Sequence, residues 1–151
     1  MLQALALIAH IQGAWRPGLH ATAALAAMER GEPELAIRSV RATQSAAARY
    51  GDCPTCSALL NPVGGQAFAL IGDRDGAHAL AEVAAQLAAS FRSSAWSATA
   101  ESAAASAALA DGDLTAARQR FGSAASLYEK AGHSFWAGRA STQLKAVSAA
   151  N

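Results

Sequence analysis

Two cysteines in 151 residues are too few for a disulfide scaffold of the kind that small secreted domains use in place of a large core. Aromatic residues make up only 6% of the chain, and the β-branched and aromatic runs that favour strands are missing. Charge is sparse, at 15%, and nearly balanced: 12 basic against 11 acidic residues leave a net charge of +1. No basic face or tail supplies the phosphate contacts that dominate nucleic-acid affinity. No apolar run approaches the ~18 residues needed to span a bilayer. The opening MLQALALIAHIQG has neither a basic leader nor a clear small-residue cleavage site. There is no P-loop pattern, no nucleophile–base arrangement and no catalytic carboxylate pair. These absences predict a chain that is not an enzyme, needs no cofactor or metal, touches neither nucleic acid nor membrane, and works in the cytoplasm.

What is abundant is alanine, with 43 residues in a chain that is 52% apolar. Alanine loses no side-chain entropy in a helix and lets helices pack closely. The fold class expected is therefore all-α, in a single domain over residues 1–151. A chain of this length buries about two-thirds of its unfolded surface, enough for one core. Helical spacing predicts helices over about 2–13, 17–30, 33–50, 54–71, 75–91, 94–110, 114–131 and 134–149. Pro62 falls inside the fourth, together with Gly64 and Gly65, and predicts a kink there or two short helices. Ser134 is the expected cap of the last helix.

The helices recur in register. Trp15, Cys56, Trp96 and Trp136 are spaced 41, 40 and 40 residues apart. Sixteen residues after each of the first three comes a glycine followed by an acid: Gly31-Glu32, Gly72-Asp73 and Gly112-Asp113. A period near 40 points to stacked helix pairs, each a helix A, a Gly-acid turn and a helix B. In this frame the tryptophans anchor helix A in a buried packing position, and Cys56 stands in for one of them. Cys53 and Cys56 then read as structural thiols. A redox pair or disulfide, or half of a metal site, is the alternative at the same residues. Asp111 and Asp113 read as turn residues, and His133 as a capping or surface residue. The register begins inside a helix B and stops after a helix A. That predicts a segment of a longer array, or ends that self-associate through uncapped apolar faces.

Within the third unit, Ala117-x3-Phe121-x2-Ala124 matches the helix-B pattern of a tetratricopeptide repeat, with Ala105 at that family's small position in helix A. Ala77-x3-Ala81-x2-Ala84 and Ala36-x3-Val40-x2-Thr43 sit in the same frame. The chain thus resembles a degenerate tetratricopeptide array, with a period longer than the usual ~34. The resemblance implies a right-handed superhelix of antiparallel helix pairs, in which Phe121 plugs the gap between helices. It also implies a concave groove lined by the A helices, which projects Gln66, Thr99, Ser102, Ser106, Arg139 and Thr142 inward. A protein or peptide is the partner such a groove would take. Two runs, ALADGDLTAARQRFGSAASLYEKAGHSFWAGRA and CPTCSALLNP, also resemble the alanine-rich C-terminal repeat region of large ATP-binding LuxR-type bacterial regulators. That resemblance implies a regulator's sensor or oligomerisation arm, with other domains of the same regulator as possible partners.

Overall fold

The computed structural model describes residues 18–51 and 53–150, and among them every regular element is a helix. There are eight: α1 (18–29), α2 (Pro33–Tyr50), α3 (Pro54–Ser57), α4 (Leu60–Leu70), α5 (Arg74–Phe91), α6 (Ser94–Asp111), α7 (Leu114–Lys130) and α8 (Ser134–Ala149). Trp15 and the helix expected over 2–13 lie outside the described residues. Short turns join the helices, and α5, α6, α7 and α8 each pack against the helix before in antiparallel fashion.

One joint recurs. At Gly112 the chain enters the left-handed region, with φ of 79°, which costs glycine nothing sterically. The next N–H, from Asp113, then reaches back to the carbonyl of Ala108 at 2.9 Å. Asp113 next turns its carboxylate onto the N–H of Ala116, 2.9 Å away, and opens α7. The same backbone closure appears as Asp73 to Phe68, Glu32 to Ala27 and His133 to Tyr128, each at 2.9 Å. The glycine-acid pairs of the sequence are thus helix stops fused to helix starts. The fourth joint, at Gly132-His133, lies between units rather than within one. His133, not Ser134, is the N-cap of α8.

Pro62 acts four residues upstream of itself. Its ring would collide with the carbonyl of Ala58, and it has no N–H to offer that oxygen. The helix therefore breaks at Ala58-Leu59, and Asn61 N–H takes the Ala58 carbonyl at 3.2 Å. Pro62 itself sits in the first turn of α4, where a missing N–H does no harm. Gly64 and Gly65 do not weaken α4 so much as let its neighbours in. A Cβ on Gly64 would stand 2.6 Å from Val40 Cγ2 of α2 and 2.7 Å from Leu80 Cδ1 of α5. The opposite glycine, Gly65, faces Ser106 of α6. α4 is consequently buried nearly all round, from Leu60 through Gly65 and again at Ala67 and Phe68.

Three apolar clusters make the core. The largest joins α1, α2, α4 and α5 through residues such as Ala24, Val40, Val63, Phe68 and Leu80. The other two occupy opposite ends of the α6–α8 layer. One centres on Tyr128, with Ala98 and Ala137; the other on Phe121, with Ala105, Ala117 and Val147. Every frame position of the helix-B pattern is buried except Ala81, which is half-buried. Phe121 is wholly enclosed. Full burial of a phenylalanine stabilises by about 1.5–3 kcal/mol.

Candidate functional site

Three places in the fold hold chemistry beyond packing. The first is the expected groove. Its residues do lie on A helices, α4, α6 and α8, and α4 packs directly against α6. Ser106 is fully enclosed, and its hydroxyl donates to the Ser102 carbonyl at 3.2 Å. Thr99 is buried; it donates to the Ala95 carbonyl at 3.0 Å and accepts from Tyr128 Oη at 3.4 Å. Hydroxyls that bond back along their own helix in this way are satisfied without a ligand. Thr142 is exposed and likewise bonds to the Gly138 carbonyl at 3.0 Å.

Gln66, Ser102 and Arg139 do come together, at a crevice of about 10 Å³ beside Trp136. That is the room one water needs. Arg139 Nη2 donates to Gln66 Oε1 at 3.1 Å, and its Nη1 pairs with the Glu29 carboxylate of α1. Burial pushes the Arg139 pKa below the ordinary arginine value. The guanidinium stays charged at neutral pH nonetheless. Its role here is to tie α8 to α4 and α1.

The second place is the cysteine pair. Cys53 caps α3, Cys56 lies within it, and their sulfurs are bonded to each other. They are therefore not the free structural thiols expected. Thr55 Oγ1 donates to the Cys53 sulfur at 3.7 Å. In the slot that they share, Cys56, Trp96 and Trp136 are half-buried rather than buried, because it falls in the first turn of helix A. Trp96 instead stacks on Phe91, with ring centroids 5.0 Å apart, and Trp136 meets Tyr128 at 6.2 Å and Phe135 at 5.4 Å. Among the described residues no three His, Cys, Asp or Glu side chains gather where a metal ion could sit, and no helix is long and apolar enough to cross a membrane.

The third place was not anticipated. A cavity of about 370 Å³ opens between α2, α3, α4 and α5. It exists because α2 runs on past its last buried residue, Thr43, for two further turns that carry only small side chains at Ala47 and Ala48. The break at Ala58-Leu59 leaves nothing from α4 to fill the space beneath them. Val40, Leu60, Leu80 and Val83 supply an apolar lining, and among the described residues no charged side chain contributes. Asn61 lines it too. Only 3% of Asn61 is exposed, and its Nδ2 has no hydrogen-bond partner among the described residues. An enclosed amide without a partner costs about 1–3 kcal/mol. The signal in the sequence was the Asn-Pro pair, which reads as helix punctuation and hides the asparagine.

Neither a family model, nor a curated protein, nor a solved structure matches this chain.

Proposed function

We propose that this chain is a non-catalytic, tetratricopeptide-like interaction module that serves as the repeat region of a bacterial transcriptional regulator. The observation that carries the reading is an aromatic rim. α6 and α8 are parallel, so the ends at which they begin lie on one side of the array. Phe91 beside Trp96 and Phe135 beside Trp136 stand there, with the two phenylalanines 50% and 58% exposed. Exposed aromatic clusters of this kind mark partner surfaces, where tryptophan and its neighbours supply most of the binding energy. The regulator context rests on the resemblance of residues 53–62 and 108–140. The test is proximity labelling in the native host with the wild-type chain and a Phe91→Ser, Phe135→Ser double variant. A partner, such as another domain of the same regulator, should be labelled by the first and lost with the second, at unchanged helix content. Identical labelling by both would overturn the rim as the contact. An ATP-binding module or a helix-turn-helix encoded in the flanking reading frame would support the regulator context.

A second reading is favoured by the Cys53–Cys56 bond. In it the pair is a thiol switch: a dithiol reductant supplies two electrons and two protons, and the bond becomes two thiols. Because Pro54 and Ser57 of the same short helix line the cavity, reduction would be felt there. Amide spectra that are the same around α3 before and after reduction would dismiss it.

A further inference from the structure

We propose that α3 is a latch held shut by its disulfide, and that reduction releases it and bares apolar surface continuous with the aromatic rim. The proposal rests on the reading of Cys53 and Cys56 as a thiol switch and names what that switch moves. α3 is a single turn of four residues with no buried side chain. Closing one helical turn in a free chain is unfavourable by a factor of about 10³. The hydrogen bonds of this turn return to itself. The Cys56 and Ser57 N–H groups donate to the Cys53 carbonyl at 2.9 and 3.2 Å, and Ser57 Oγ donates to the carbonyls of Cys53 and Pro54 at 3.4 and 3.3 Å. Among the described residues no hydrogen bond ties α3 to another helix, and it packs extensively on none of α2 and α4 to α8. The chain enters it from Gly51, at a φ of 93°, and leaves through the break at Ala58-Leu59. What spans the turn, from its cap to its third residue, is the Cys53–Cys56 bond. A cross-link of this kind limits the open conformations available to the segment it closes.

Apolar surface lies on both sides of the latch. Pro54 and Ser57 stand in the wall of the cavity of about 370 Å³, with Leu60 and Leu80. Cys56 stands in the wall of a second crevice, of about 100 Å³, with Leu25 of α1, Leu59 and Trp136 of α8. α3 thus covers part of each. A dithiol opens the bond in two exchanges. One of its thiolates attacks a cysteine sulfur and displaces the other as a thiolate. Its second thiol then closes the reductant's own disulfide and frees the first cysteine, so that two electrons and two protons pass to the pair. Without the cross-link the turn melts, and its cover is withdrawn from both spaces. Trp136 belongs to the crevice and, beside Phe135, to the rim. The redox state of the pair is thereby passed to the contact surface.

The test compares the full chain before and after reduction with dithiothreitol, with helix content followed by circular dichroism. Reduction should speed hydrogen exchange at the Cys56 and Ser57 amides about tenfold or more and leave the amides within α6 and α7 unchanged. In a Trp15→Phe, Trp96→Phe background, acrylamide should quench Trp136 more strongly after reduction. A Cys53→Ser, Cys56→Ser chain should behave as the reduced protein, with or without dithiothreitol. The proposal is overturned if the Cys56 and Ser57 amides exchange at one rate in both redox states, or if the quenching of Trp136 does not change. A reduced pair with both readouts unmoved removes the latch and leaves the pair reducible. A bond that dithiothreitol cannot open in the folded chain overturns the switch and the latch together. Should the tryptophan-depleted background fail to fold, the exchange rates of the wild-type chain decide.

Discussion

Arg139 Nη2 donates to Gln66 Oε1 at 3.1 Å, across 73 residues of chain. In a simple solenoid each unit touches only its neighbours. Here the last described helix reaches two helices far back in the chain, because the same guanidinium also pairs with Glu29 of α1.

Replacing Arg139 by alanine should lower stability by about 1–2 kcal/mol in urea unfolding. The arginine side chain is largely covered while Glu29 is exposed, so the loss falls between that of a surface pair and that of a fully buried one. Lysine should recover only part of it, having no fork to serve Gln66 and Glu29 together. An alanine variant as stable as wild type would make the contact an incidental one.

Tyr128 predicts an alkaline limit. Burial raises its pKa above the ordinary phenol value of about 10. The unfolded chain therefore releases this proton first. The stability held in the neutral, buried phenol is complete below about pH 10 and is lost as pH rises through the folded-state pKa. Tyr128→Phe should flatten this part of the alkaline unfolding profile. At pH 7 it should change stability by no more than about 1 kcal/mol, since the bond it removes is 3.4 Å long. An unchanged alkaline slope would rule out Tyr128 as its source.

Phe121→Ala should cost about 3–5 kcal/mol by chemical denaturation, as for other large truncations in a core. Phe121 is enclosed by α6, α7 and α8, and Ala105, Ala117 and Val147 are too short or too fixed to close the gap. A loss under about 1 kcal/mol would mean that the three helices collapse freely onto the space.

Two glycines should respond in opposite directions. Gly64→Ala gains about 1 kcal/mol of helix propensity. It also drives a methyl into Val40 and Leu80, an overpacking that costs about 1–3 kcal/mol. The net effect on the thermal midpoint should be a fall. Gly138→Ala on α8 meets nothing within 4 Å and should raise the midpoint through propensity alone. Equal shifts would show that α4 has slack around Gly64.

The all-α array and its joints were legible because they depend on local chemistry. A glycine that takes a positive φ, an acid that caps and a small-large-small pattern on helix B all act within a few residues. The rest depends on how helices meet. The frame puts Thr99, Ser102 and Ser106 on inner faces, but only the assembled chain determines that those faces touch. Gly64 and Gly65 look like weak helix until α2, α5 and α6 are seen pressed against them. Cys56 shares a register position with three tryptophans, yet its partner is three residues away rather than in the next helix. The cavity over Asn61 is made of missing atoms, and no pattern of residues records those.

The Arg139 clasp has a mechanical consequence. An array held only by neighbouring contacts stretches like a spring, whereas one with its far helices tied together behaves as a closed ring. Pulled between Gly18 and Ala150 in an optical trap, the wild-type chain should hold its length and then yield in one event. The Arg139→Ala chain should lengthen gradually first. If both traces yield alike, the clasp bears none of the tension.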